Sequence, residues 1–152
     1  MTLTQKETSL LQDMKSQEEL CIEKYRKYSS DANDPALKQL FSSLMNVEEG
    51  HLSTLNRMLG GEEVSMGSET PTVTQSDISF TPSTQPQEKK TQDGYLAKDA
   101  LSMEKHVSSA YNTAVFEFKS TTMRDTLAHI QKEEQNHGER LYKYLNANGQ
   151  YN

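Results

Sequence analysis

The sequence predicts an all-α protein built as a four-helix bundle, and three observations lead to this prediction. Hydrophobic residues recur at steps of three and four in two long segments on either side of a polar stretch. Capping residues stand where the predicted helices begin, and glycines stand where they end. The two halves of the chain also resemble each other at a spacing of 86 residues. Because 152 residues suffice for one core, we assign residues 1–152 to a single domain.

The first half is predicted to form a helical hairpin over residues 4–60. Its hydrophobic positions follow the helical step, at Leu11, Met14, Cys21, Tyr25, Tyr28, Leu37, Phe41, Leu44, Val47, Leu55 and Met58. Thr4-x-x-Glu7 forms a capping box at the start of the first helix. Asp34 precedes Pro35, so it caps a second helix that begins with a proline, and Gly60-Gly61 ends that helix.

The second half is predicted to form another hairpin over residues 94–147. The helical step returns from Ala97 through Phe118 and from Met123 through Leu145. Asn148-Gly149 then provides a stop for the last helix.

Residues 61–93 separate the hairpins and are predicted to form an irregular crossover, because the segment is rich in Ser, Thr, Pro and Gln. A helix of about 25 residues is about 37 Å long, at about 1.5 Å per residue. Roughly a dozen extended residues span that distance. The crossover can therefore run the length of the bundle, which predicts an up-down-down-up, left-handed bundle in which helices 2 and 3 are parallel.

The repeat keeps one glutamate in the first helix of each half and one Glu-x-x-His in the second. These residues are Glu18, Glu48, His51, Glu104, Glu134 and His137. In each half the two glutamates are 30 residues apart and equidistant from Asn33 or Lys119, which lie in the predicted turns. All six residues fall on the hydrophobic faces of their helices. The pattern therefore predicts that they converge at mid-height in the core.

Four buried carboxylates need compensation, because each isolated buried ion costs several kcal/mol. Two divalent metal ions would offset four negative charges. Four carboxylates with two imidazoles suit iron or manganese better than the closed tetrahedral sites typical of zinc. The alternative is a metal-free network in which the glutamates and histidines hydrogen-bond to one another.

The ligand pattern and the helical organisation resemble the ferritin-like superfamily, in particular its rubrerythrin and bacterioferritin branch. A tyrosine often follows the first-helix ligand by seven residues there, as Tyr25 and Tyr111 do here. The stretches "LAKDALSMEKHVSSAYNTAVFEF", "LAHIQKEEQNHGERLYKYL" and "NGQYN" resemble more narrowly the coat F family of bacterial spore coat proteins. No rubredoxin-type cysteine pair is present, so a self-contained rubrerythrin electron path is missing.

The resemblance implies two competing functions, and the fold does not decide between them. In the first, the protein is a spore coat component whose metal site holds the hairpins together, and its partners are other coat proteins or further copies of the chain. In the second, it is a di-iron oxidoreductase, of the oxidase or peroxidase type, that acts on oxygen or peroxide. In either case Glu18 and Glu104 would be terminal ligands, Glu48 and Glu134 would join two metals, and His51 and His137 would bind one metal each.

Composition excludes several other classes of function. A net charge of -6 gives no reason to expect a nucleic acid partner, and no apolar run is long enough to span a membrane. Cys21 is the only cysteine, so neither an internal disulfide nor a thiolate zinc site can form. We expect a cytoplasmic protein, or a component of the spore coat if the resemblance holds.

Other residues near the predicted site receive simpler interpretations. Five are expected to be solvated: Glu19, Glu49, His106, His129 and Glu133. Tyr25 and Tyr111 are expected in the core, where a redox role or a hydrogen bond to a ligand carboxylate is the alternative. Cys21 lies on the hydrophobic stripe and is expected to be a small buried residue rather than a reactive thiol.

Overall fold

The computed structural model describes residues 2–65 and 78–151 of the chain. Within these ranges it contains four α-helices and no strand, in agreement with the predicted all-helical bundle. The helices are α1 (Gln5–Asp31), α2 (Pro35–Leu59), α3 (Gln87–Val115) and α4 (Thr121–Ala147).

The predicted limits of α1 and α2 are confirmed by their caps. The Thr4 side chain accepts a hydrogen bond from the Glu7 N–H, and the Glu7 side chain accepts one from the Thr4 N–H. Asp34 accepts from the N–H of Ala36 and stands directly before Pro35. Gly61 follows the end of α2, and its φ of 87° suits a residue without a side chain.

Helix α3 begins earlier than predicted, so the assignment of residues 61–93 to an irregular crossover is wrong at its C-terminal end. The helix starts at Gln87, directly after Pro86, whereas the hairpin was predicted from residue 94. The segment "QEKKTQDGYL" has no hydrophobic stripe for the periodicity to reveal. Tertiary contacts hold it instead, because Asp93 in this segment is buried against the turn between α1 and α2. Residues 66–77 of the predicted crossover lie outside the described ranges.

Helix α4 begins two residues before the predicted Met123 and ends two residues after Leu145. The Ser120 side chain caps its start by accepting from the N–H of Met123. Gly149, with a φ of 64°, follows its end and confirms the predicted stop.

Helix α1 packs along α2, and α3 packs along α4, as two hairpins that meet through a shared hydrophobic core. Each hairpin turn is held by a carboxylate of the other hairpin, which accepts backbone N–H groups of the turn. Lys119, in the turn between α3 and α4, donates its N–H to the Glu7 carboxylate on α1. Asn33 and Asp34, in the turn between α1 and α2, donate theirs to the Asp93 carboxylate on α3. Because Glu7 and Asp93 are themselves 86 residues apart, the internal repeat includes the anchors of the turns.

The core consists mainly of leucine, methionine and aromatic side chains, and its largest fully buried members include Tyr25, Tyr111, Tyr144 and Phe41. The Tyr25 and Phe41 rings pack with their centroids 5.9 Å apart. Across the described ranges, no helix has the length and apolar character that crossing a membrane requires.

Candidate metal centre

The six residues singled out by the repeat converge at the middle of the bundle, and we call them the central cluster: Glu18, Glu48, His51, Glu104, Glu134 and His137. They form two overlapping groups. One contains Glu18, Glu48, His51 and Glu134, and the other contains Glu48, Glu104, Glu134 and His137. Each group places one ligand atom of every member within 4.8 Å of the others. Glu48 and Glu134 therefore belong to both groups.

Each of these side chains lies on the buried face of its helix, so the helices bring them together in the core. Glu48 and His51 are three residues apart, so they lie on one face of α2, and Glu134 and His137 repeat this on α4. Fully buried hydrophobic residues stand one turn before and after each pair: Leu44, Leu55, Ile130 and Leu141. Every residue of the central cluster is at most 3% exposed.

Each histidine reaches across to a glutamate of the other hairpin. His51 Nδ1 is 2.8 Å from Glu134 Oε1, and His137 Nδ1 is 2.8 Å from Glu48 Oε1. Within a hairpin the contacts are longer, at 3.5 Å from His51 to Glu48 and 3.7 Å from His137 to Glu134. The two imidazole rings stack with their centroids 6.1 Å apart. The contacts thus follow the twofold relation between the halves of the sequence.

The two tyrosines lie in the core and also hydrogen-bond to glutamates of the central cluster. The Tyr111 hydroxyl donates to Glu18 Oε1 at 2.6 Å, and the Tyr25 hydroxyl donates to Glu104 Oε1. Each tyrosine therefore holds the glutamate of the opposite hairpin. Two of the roles expected from the sequence therefore apply to these residues: they pack in the core, and they contact a carboxylate.

The polar atoms of the central cluster fit a bound cation better than a closed hydrogen-bond network. Among the described residues, several buried cluster atoms have no hydrogen-bond partner: Glu18 Oε2, both oxygens of Glu48, His51 Nδ1, Glu104 Oε2 and both oxygens of Glu134. The close nitrogen–oxygen pairs are within contact distance but most are not aligned as hydrogen bonds. Leaving such groups unsatisfied costs about 1–3 kcal/mol each. Cations bound among them would satisfy these atoms.

Charge in the metal-free cluster is divided unequally among the glutamates. Burial raises the pKa of Glu18 and Glu104, and the adjacent Glu48 and Glu134 raise it further. Burial opposes ionisation of Glu48 and Glu134 as well, but their close neighbours, Glu18 or Glu104 and the two histidines, lower their pKa overall. These directions favour the protonated form at Glu18 and Glu104 and the ionised form at Glu48 and Glu134.

The carboxylates around the two histidines favour the protonated form of each imidazole. Burial lowers the pKa of both imidazoles, yet the surrounding carboxylates more than reverse this, and the net pKa of His51 and His137 is raised. A neutral imidazole nitrogen is what binds a metal, so metal binding must displace protons from this cluster.

Glu133 is not a solvated neighbour, which corrects the prediction from the sequence. Its Oε2 lies 3.0 Å from His51 Nε2, the ring nitrogen that faces away from the cluster carboxylates. Its Oε1 lies 2.6 Å from His129 Nε2, so His129 is a half-exposed partner rather than a free surface residue. Burial raises the pKa of Glu133, but the contacts with His51 and His129 lower it overall. The signal in the sequence was the spacing of four between His129 and Glu133.

A cleft of about 470 Å³ between α3 and α4 reaches the cluster from outside. Glu104 and Glu134 lie among its lining residues, together with Leu101, Ser108, Gly138 and Tyr142. The C-terminal segment covers one side, where the Tyr151 ring meets the Tyr142 ring edge to face with centroids 4.8 Å apart. Hydrophobic periodicity does not predict this cleft, because a gap between two helices depends on how their side chains meet rather than on the pattern along either helix.

The remaining interpretations of single residues are confirmed. Glu19, Glu49 and His106 are exposed. Cys21 is fully buried, and burial raises the pKa of its thiol, so it is not a thiolate.

Comparison with known proteins gives one finding on the second half of the chain. Residues 92–152, which contain most of α3 and all of α4, match the family model described as the Coat F domain. No curated protein matches the chain, and no solved structure does. The match supports the resemblance to the coat F family and covers three of the six cluster residues, Glu104, Glu134 and His137.

Proposed function

We propose that this protein is a spore coat protein with a ferritin-like fold, and that its central cluster binds two divalent metal ions. The observation that carries the proposal is the set of unpartnered, fully buried carboxylate oxygens aimed into one space. The match to the Coat F domain supports the location in the spore coat.

The ferritin-like topology is supported by the contacts between α1 and α3. Glu7, near the start of α1, meets the turn after α3, while Asn33, just past the end of α1, meets Asp93 near the start of α3. Helices α1 and α3 then run in opposite directions. With each hairpin folded back on itself, the helices would follow an up-down-down-up order.

In this proposal Glu18 and Glu104 would each hold one metal, and His51 and His137 would complete one position each. Glu48 and Glu134 belong to both ligand groups and would be shared between the positions. Two dications balance four carboxylates, and the mixture of oxygen and nitrogen donors suits iron or manganese. When bound, such metals supply Lewis acidity and, for iron and manganese, a change of oxidation state. The hydroxyls of Tyr25 and Tyr111 hold two of the carboxylates, those of Glu104 and Glu18, in place.

The direct test compares Glu48→Gln with Glu49→Gln. Both changes replace a glutamate by its amide on α2, but Glu48 is buried in the cluster whereas Glu49 is exposed. We expect the first variant to bind less than one ferrous ion per chain and the second to bind two, measured by anaerobic titration. Equal binding by both variants would contradict the proposal.

A second candidate function, oxidation of a bound metal or of a small substrate by oxygen or peroxide, is favoured by the cleft between α3 and α4. It gives small molecules a route to Glu104 and Glu134. If this function is present, the protein oxidises ferrous iron faster than a protein-free control, and Glu48→Gln abolishes the difference. A rate equal to the control would leave the metal with a structural role.

The location is tested separately. A fluorescent fusion of the full chain, expressed from its own promoter in the sporulating host, is expected at the surface of the forming spore. Uniform fluorescence through the mother cell at all stages would contradict the assignment to the coat.

A further inference from the structure

The twofold repeat makes the two proposed metal positions alike in their direct ligands, so any difference between them must come from the surrounding residues. Glu18, Glu48 and His51 match Glu104, Glu134 and His137 at a spacing of 86 residues. The tyrosines that hold the outer glutamates match as well. Two of the differences between the halves concern the surroundings of the cluster. One lies beside His51, and the other lies along the cleft that Glu104 lines.

The first departure concerns the ring nitrogens that face away from the cluster. His51 Nδ1 faces the cluster carboxylates, while its Nε2 lies 3.0 Å from Glu133. Residue 47, which corresponds to Glu133 in the repeat, is Val47, and a valine side chain has no hydrogen-bonding atom. Residue 43, which corresponds to His129, is Ser43. Among the residues that the structure describes, a carboxylate therefore lies against the outer ring nitrogen of His51 but not against that of His137.

Such a contact strengthens a metal site. A carboxylate that accepts the outer N–H of an imidazole fixes the tautomer and the ring orientation, and it makes the metal-binding nitrogen more basic. Removing such a partner weakens metal affinity by about 10- to 100-fold in proteins. His129 in turn holds Glu133 from the outside, at 2.6 Å.

The second departure concerns access. Ser108 and Gly138 line the cleft that reaches Glu104 and Glu134. The corresponding residues in the first half are Ile22, which is buried, and Leu52, which is half-buried. A side chain at residue 138 would begin within ordinary contact distance of Leu101, at 3.5 Å, so there is room for a Cβ there. In the first half of the chain, larger side chains therefore stand at the positions that correspond to Ser108 and Gly138.

From these two departures, and on the basis of the proposed function, we infer that the metal positions have different roles. The position held by His51 is the tighter, closed one, and Glu133 is the positioning residue that makes it so. The position held by His137 is the weaker one, and a small exogenous ligand reaches it through the cleft between α3 and α4.

The affinity half of this inference is tested by titrating the metal-free protein with Co²⁺ and following its visible absorption. We expect two binding steps of unequal affinity in the natural protein. Glu133→Val, which introduces the residue found at position 47, is expected to weaken the tighter step about 10- to 100-fold and to leave the other step unchanged. Glu133→Gln, which keeps an acceptor oxygen, is expected to give a smaller loss.

The control is Val47→Thr, a nearly isosteric change at the corresponding place in α2, which should leave both steps unchanged. Unaltered helical circular dichroism shows that each variant is folded. Two equal steps in the natural protein, or equal weakening of both steps by Glu133→Val, would overturn this inference while leaving the proposed function intact. Absence of any Co²⁺ binding would overturn both.

The access half is tested with azide on the cobalt-loaded protein. Azide is expected to change the absorption of one of the two bound ions. Gly138→Leu, which introduces the residue found at position 52, should abolish that change while two Co²⁺ ions per chain remain bound. Leu52→Met is the control and should leave the azide response unaltered. An azide response that survives Gly138→Leu would contradict the assigned route.

Discussion

At the scale of single residues, the central cluster combines buried carboxylates and imidazoles. Each group alone would be energetically unfavourable in the core, but together they compensate one another. Its carboxylates are buried among hydrophobic residues, where an unpaired charge is unfavourable. The pKa values of Glu18, Glu104, His51 and His137 are all raised, which favours the protonated form of each group. Protons and metal ions therefore compete for the same atoms.

This competition predicts how stability depends on pH. A group whose pKa is raised on folding stabilises the protein below its unfolded pKa, and this stability is lost as pH rises through the folded value. For His51 and His137 the loss occurs above the ordinary value of 6.5. We expect the thermal midpoint of chelator-treated protein to fall as pH rises above 6.5, while the increase in midpoint on adding Mn²⁺ grows. A metal-induced increase that shrinks with rising pH would contradict this.

At the scale of helices, caps and turn anchors determine where the chain reverses. Asp93 is the clearest case, because it accepts the N–H groups of both Asn33 and Asp34 from the other hairpin. It sits in the part of α3 that has no hydrophobic stripe. The start of α3 and the turn between α1 and α2 therefore depend on each other.

Replacing this anchor should destabilise the bundle. Asp93→Ala leaves two partly buried N–H groups without an acceptor, and we expect a loss of about 3 kcal/mol in the free energy of unfolding by urea. Glu88→Ala, one turn earlier on the same helix at an exposed position, is the control and should change stability by less than about 0.5 kcal/mol. Similar effects of both substitutions would show that the turn is not held through Asp93.

The sequence predicted the helices that carry hydrophobic stripes and strong caps, and it predicted all six members of the central cluster. Periodicity and the repeat sufficed because each glutamate and histidine lies on a buried face at a fixed distance from its turn. The start of α3 was missed because contacts with the other hairpin, rather than local pattern, hold Gln87 to Leu96 in place. Glu133 was missed because its partner, His51, is 82 residues away on another helix.

At the scale of the whole molecule, the bundle consists of two similar hairpins whose contacts cross at the cluster. His51 meets Glu134, His137 meets Glu48, and each tyrosine holds a glutamate of the other hairpin. Metal bound by all four helices would join the hairpins at the level where their polar side chains interrupt the hydrophobic core. The match to the Coat F domain covers only the second hairpin, which contributes three of the six cluster residues. The complete cluster therefore depends on both halves of the chain.

The central claim is that the cluster is a two-metal site, and the most direct test is elemental analysis of the full chain purified without chelators. We predict two transition-metal ions per chain, iron or manganese, in the natural protein. A protein that contains none, and that takes up none when metal-free protein is dialysed against Fe²⁺ or Mn²⁺ without oxygen, would contradict the claim.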